Sequence, residues 1–191
     1  MYLKQQHFYY GAILSAIIEY NPDASMVLVQ KDDETRKIFN IETNKSQSCR
    51  IFFKYATEKK TTSNSWLFIF SQNDTNLLEQ CYIEKIPTFI YLLCVKENLK
   101  ESEIAILKLD EFRGLNKSSF TIKLPKRSRS FFIARSKSPI TDYPIPRNRI
   151  ESNFDKLINE VIEDSNGYYL PKCKHCFVHQ KLTSLKWNNF S

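Results

Sequence analysis

The stretch TFIYLLCV, residues 88 to 95, is apolar at every position after its first, and nothing else in the chain limits the fold so tightly. A strand with one wet face alternates apolar and polar side chains, so this run reads as a central strand covered on both faces. Such a strand needs a layer of structure on each side of its sheet. The chain has 191 residues, enough for one domain with a real core and short for two. Its composition agrees: 14 Phe and 10 Tyr supply core volume, and only 3 Gly are present, whereas disordered chains are poor in aromatic residues.

The remaining elements follow from periodicity. Residues 5 to 20 read as a helix, with Phe8, Ala12, Ala16 and Tyr20 at helical spacing, Ile13 and Ile17 widening the stripe, and Asn21 and Pro22 as the stop. Leu14 and Ile18 cover the other side, so this helix is expected to be buried on most faces. SMVLVQ (25–30) and RKIFNIE (36–42) form a hairpin across KDDET, and RIFFKYA (50–56) and WLFIF (66–70) are two further strands. Asp74 is expected to cap a short crossover helix running through Cys81. Beyond the central strand come EIAILKL (103–109), a helical turn DEFRGL, and a second hairpin in which SFTIKL (119–124) and SFFIAR (130–135) flank the basic turn PKRSR. Pro139, Pro144 and Pro146 make an extended connector. Phe154, Leu157, Ile158, Val161 and Ile162 then mark an amphipathic helix ended by Asn166 and Gly167. The expected class is α+β, with a mainly antiparallel or mixed sheet, an N-terminal helix, a crossover helix, a basic hairpin and a C-terminal helix. The expected division is a core over 1–137, a Pro-rich connector over 138–150, and a helix with a Cys/His tail over 151–191.

The five cysteines, Cys49, Cys81, Cys94, Cys173 and Cys176, are odd in number and scattered, which fits reduced thiols and a cytoplasmic setting. FYYGAILSAII (8–18) imitates a signal-peptide core but leads into Glu19, Tyr20 and Pro22 with no small-residue cleavage site. No apolar run approaches the roughly 18 residues of a membrane span. There is no Walker loop, no dinucleotide-binding glycine turn and no nucleophile elbow, and three histidines over 191 residues give no catalytic cluster. Ordinary chemistry on small metabolites is not expected.

Charge is the most informative pattern. Of the net +7, all sits between Arg113 and Lys137, where eight basic residues occur with no acid, leaving 20 basic against 21 acidic elsewhere. Lys123, Lys126, Arg127, Arg129 and Arg135 gather at the second hairpin with Phe131 and Phe132 beside them. Cations that neutralise phosphates and rings that stack on bases are the two ingredients of nucleic-acid contact. An acidic protein partner is the alternative occupant. A second candidate is Cys173-x2-Cys176-x2-His179, which supplies three ligands that zinc favours. The fourth would come from Cys49, Cys81, Cys94, His7 or a second chain.

The order helix, hairpin, third strand, crossover helix, strand over roughly residues 5 to 95 resembles the core of restriction-endonuclease-like nucleases, the PD-(D/E)XK superfamily. The resemblance implies an acid on the first helix, one on the second strand, and a carboxylate two residues before a lysine on the third. Glu19, Glu42 and Lys54 match three of these places, but Phe52 stands where the carboxylate before the lysine belongs. Two carboxylates are needed to hold a divalent ion against a phosphate, so the motif is broken. The expectation is therefore a nucleic-acid-binding accessory protein, DNA-associated, with no intact catalytic site and no required cofactor, zinc being the optional one. Its partner is nucleic acid or a nucleic-acid-bound protein, with no membrane. A metal-dependent nuclease using magnesium and an interaction module acting as inhibitor or accessory subunit are the alternatives.

Overall fold

A computed structural model describes residues 2, 4–30, 36–45, 47–58, 64–134 and 144–166. Helix α1 (Gln5–Tyr20) leads into the meander β1 (Ser25–Gln30), β2 (Arg36–Glu42) and β3 (Ser48–Thr57), followed by β4 (Ser65–Ile69) and helix α2 (Gln72–Ile83). The chain continues through β5 (Thr88–Val95), β6 (Glu103–Lys108), α3 (Leu109–Leu115), β7 (Ser119–Lys123), β8 (Ser130–Ala134), β9 (Pro144–Pro146) and α4 (Phe154–Asn166). Five strands form one mixed sheet in the order β1-β2-β3-β5-β6, and four form an antiparallel sheet in the order β4-β7-β8-β9. The fold is α+β, as the periodicity implies.

β5 is buried along its whole length and lies between β3, to which it is parallel, and β6, to which it is antiparallel. Its alternate side chains enter two separate cores, which is why all eight positions are apolar or buried. Phe89, Tyr91 and Leu93 join Ile51 and Phe53 of β3 under α1 and α4. Ile90, Leu92 and Cys94 join Phe52 on the opposite face, where α2, α3 and the second sheet close the layer with Trp66, Phe68, Phe120, Ile122 and Phe131. The Trp66 indole N–H donates to the Val95 carbonyl at 2.9 Å, fastening the second sheet to the end of β5.

Three sequence expectations are corrected. The buried face of α1 is Tyr9, Tyr10, Ile13 and Ile17, while Phe8 and Tyr20 are exposed. The face with Tyr9, Tyr10 and two isoleucines removes more apolar area from water than one holding two alanines. Asp74 is the third residue of α2, and Ser71 is its N-cap. The two form a reciprocal pair. Ser71 Oγ accepts from the Asp74 N–H at 3.2 Å, and the Ser71 N–H donates to Asp74 Oδ2 at 2.8 Å. The second hairpin, whose sheet the local pattern leaves open, belongs to a sheet of its own with β4. Pro144 to Pro146, expected as connector, pair with β8 as an edge strand, a sheet position where proline's missing N–H does no harm.

No helix among the described residues is long and apolar enough to cross a membrane.

Candidate nucleic-acid interface

The β7–β8 hairpin ends in a turn whose geometry sets the positions of its charges. The Ser128 N–H donates to the Pro125 carbonyl at 3.0 Å, closing a four-residue turn with Lys126 and Arg127 at its two central places. Arg127 has φ 64°, the left-handed conformation that type II turns demand of their third residue and that glycine or asparagine adopts most cheaply. Both central side chains are exposed.

The tip is braced from behind. Ser128 Oγ donates to the Ser130 carbonyl at 2.7 Å and accepts from the Ser130 N–H at 3.0 Å. The Arg147 guanidinium donates to the Ser128 carbonyl at 3.1 Å and is itself paired with Glu103, with Nε 3.2 Å from Oε2. The Arg147 N–H donates to the Arg129 carbonyl at 3.1 Å. Glu103 thus takes up the charge of Arg147. Lys117, Lys123, Lys126, Arg127 and Arg129 form no ion pair among the described residues. Lys117 lies at the far end of β7, and the four cations at the tip, with no carboxylate paired to them, produce a local positive field that an anion can enter without displacing a partner.

Strand alternation separates the two candidate rings. Phe131 is 0% exposed in the core between the sheets, whereas Phe132 is half-buried on the opposite face, directly across from Lys123. Phe120 is likewise a core ring, 5.6 Å from Phe70 and stacked on it. Of the rings named from the sequence, Phe132 alone is positioned to meet a ligand. Arg135 lies outside the described residues, as do Cys173, Cys176 and His179.

The three residues matched to the nuclease pattern are not brought together. Arg36 pairs with Lys54 at one end of the β2–β3 ladder and Glu42 with Ser48 at the other. Ser48 to Lys54 is six residues of strand, about 20 Å. Tyr10 of α1 packs on Phe53, 5.0 Å between ring centroids. Glu19 is exposed and lies nine residues beyond Tyr10 along the helix, about 13 Å. Phe52 is fully buried and stacks on Phe70 at 6.0 Å, and the Lys54 ammonium lies 5.5 Å from the centroid of that same ring. Aromatic rings therefore pack beside Lys54 where the resemblance implies a carboxylate.

Lys54 does have an acidic partner, Asp74, which reads in the sequence only as a cap. Its Oδ2 is 2.7 Å from the Lys54 ammonium and its Oδ1 is 2.6 Å from the Arg36 guanidinium, with all three side chains buried. Burial alone would raise the Asp74 carboxyl. Hydrogen bonds from Lys54, the Ser71 N–H and Arg36, together with the Lys54 charge, outweigh that and hold it below the usual carboxylate range. The two partners are separated from Asp74 by 20 and 38 residues of chain, which leaves no local periodic trace. Only the general rule that a buried lysine needs a partner points to such an acid. Arg147 is equally hidden, inside a proline-flanked segment that reads as linker.

Cys49, Cys81 and Cys94, candidates for the fourth zinc ligand, are buried free thiols. Burial pushes the Cys49 thiol up to about 12 and raises Cys94 well above its ordinary value, so both stay protonated. Among the described residues no group of three or more His, Cys, Asp or Glu could hold a metal ion. No family model matches the chain, and no curated protein is detectably similar to it.

Proposed function

We propose that this protein binds nucleic acid through the β7–β8 hairpin, with Lys123, Lys126, Arg127 and Arg129 contacting phosphates. The observation that carries this reading is the unneutralised charge at a braced turn. A solvated surface lysine or arginine is ordinary, but here the cations crowd one turn, lack carboxylate partners among the described residues, and rest on a brace that does not use their side chains. The left-handed backbone at Arg127 adds to this. A non-glycine residue in that region costs about 1–2 kcal/mol, so an arginine there is kept against the local conformational preference.

Phosphate contacts position a protein on nucleic acid without reading its sequence. The function is accordingly that of an accessory or architectural binder, and DNA is the reading we favour for the partner. The three buried free thiols support a reducing, cytoplasmic setting.

The test is fluorescence anisotropy at low salt with labelled oligonucleotides and the full chain. Binding is expected, and Lys126→Ala with Arg127→Ala should weaken it for every sequence alike. Absence of binding to duplex and to single strands would overturn the reading and leave the interaction module, docked on an acidic protein, in its place.

A metal-dependent nuclease is the second reading, favoured by one observation: β3 and β5 are parallel neighbours joined across β4 and α2, the connection that the resemblance implies. Asp74 would then be its acid, although both its oxygens are already engaged by two cations and a backbone N–H. Cleavage with magnesium or manganese that disappears in Asp74→Asn, with the protein still folded, would establish it.

A further inference from the structure

We propose that the outward face of the β4-β7-β8-β9 sheet is a platform for single-stranded nucleic acid, with Phe132 as the base-stacking ring. This rests on the nucleic-acid reading above and deepens it by naming the class of strand. The inward face of this sheet belongs to the core. The outward face carries Leu67 and Ile69, 38% and 60% exposed, then Thr121, and then Lys123 paired directly across from Phe132. The four strands and the 124–129 turn contain Lys123, Lys126, Arg127 and Arg129 and no Asp or Glu. Leu67 and Ile69 thus share one face with Phe132, with Thr121, Lys123 and the buried Ser65 between them, and that face borders the cationic hairpin tip.

The pairing of ring and cation selects the ligand. A duplex hides the faces of its bases within its own stack and presents phosphates, so it would satisfy the hairpin tip and leave Phe132, Leu67 and Ile69 against water. An unpaired strand offers both a flat base to stack on Phe132 and a phosphate for the neighbouring Lys123 and the tip. Facing strands put the two side chains about 4.5–5.5 Å apart at Cβ, within the reach of one nucleotide's base and backbone. The sheet spans three strand spacings, about 14 Å, room for a short run of nucleotides. An added protein strand is a poorer occupant at the β9 side, because Pro144 and Pro146 remove ladder donors from that edge.

The experiment compares three labelled oligonucleotides of one mixed sequence, about 16 nucleotides long to cover a full single-strand site: DNA strand, RNA strand and DNA duplex. Anisotropy is measured at low salt with the full chain. Phe132→Leu keeps an apolar side chain of similar bulk and removes the ring, and Phe132→Trp enlarges the ring. We expect Phe132→Leu to weaken single strands by roughly 5- to 150-fold with little change in duplex affinity or melting temperature, and Phe132→Trp to retain single-strand binding. Lys126→Ala with Arg127→Ala should weaken all three. The DNA and RNA arms tell which sugar the face takes, and a ring-dependent preference for either supports the platform. Equal binding of duplex and single strands, unaffected by Phe132→Leu, would overturn the platform while the phosphate-binding hairpin stands. If none of the three binds the unaltered protein, both fail.

Discussion

Two residues in unusual settings, Arg127 and Asp74, separate function from stability. Arg127 holds a left-handed backbone with an exposed side chain that has no carboxylate partner among the described residues. Arg127→Gly should leave the melting temperature unchanged or raise it, since glycine adopts this conformation without strain. The same change should reduce the salt slope of duplex binding by about 0.9, the contribution of one phosphate contact. Lower stability with unchanged binding would show that the arginine serves the fold. Asp74 should behave in the opposite way. Its carboxyl titrates lower in the folded protein than in the unfolded chain, so its stabilisation is full above about pH 4 and is lost as pH falls through the folded value. Asp74→Asn leaves the buried Lys54 without its carboxylate and should cost about 3–5 kcal/mol near neutral pH. It should also flatten the acid limb of the stability curve below about pH 4. Thermal melts of both proteins across that range provide the check, and parallel curves would contradict the assignment.

At the scale of elements, β8 puts neighbouring phenylalanines to different uses. Phe131→Ala empties a fully buried site and should cost about 3–5 kcal/mol in urea denaturation. Phe132→Ala, on the half-exposed other face, should cost about 1 kcal/mol or less. Equal losses would mean that the outward face is covered in solution. The strands themselves are legible from local pattern, most plainly TFIYLLCV, because burial on both faces leaves an unbroken apolar run. What local pattern cannot carry is partnership. β4 joins β7 across the whole of α2, β5, β6 and α3, and nothing in WLFIF says whether it extends the central sheet or starts another. Periodicity misplaces the face of α1 because Ala12 and Ala16 fit the helical period as well as Ile13 and Ile17 do. It weighs matches, whereas burial weighs area. The segment around Pro144 and Pro146 reads as linker because proline disfavours sheet interiors, yet an edge strand tolerates it.

For the molecule as a whole, two cores back the central strand on either side, and four of the eight basic residues between Arg113 and Lys137 gather at one turn at the margin of the second sheet. The hairpin charges are readable directly because they are contiguous in the chain, and the sheet explains why they are presented together. The buried Arg36, Asp74 and Lys54 cluster is not readable, since its members come from three elements. Binding of phosphates by Lys123, Lys126, Arg127 and Arg129 releases condensed counterions, so the salt dependence of affinity counts the contacts. Each phosphate neutralised lowers log affinity by about 0.9 per decade of salt on duplex and about 0.7 on single strands. Four contacts predict a slope of about −3 to −4 for the unaltered protein, flattened by about 1.4 to 1.8 in Lys126→Ala with Arg127→Ala. A slope near zero, or one that the double substitution leaves unchanged, would mean that these side chains do not contact phosphates.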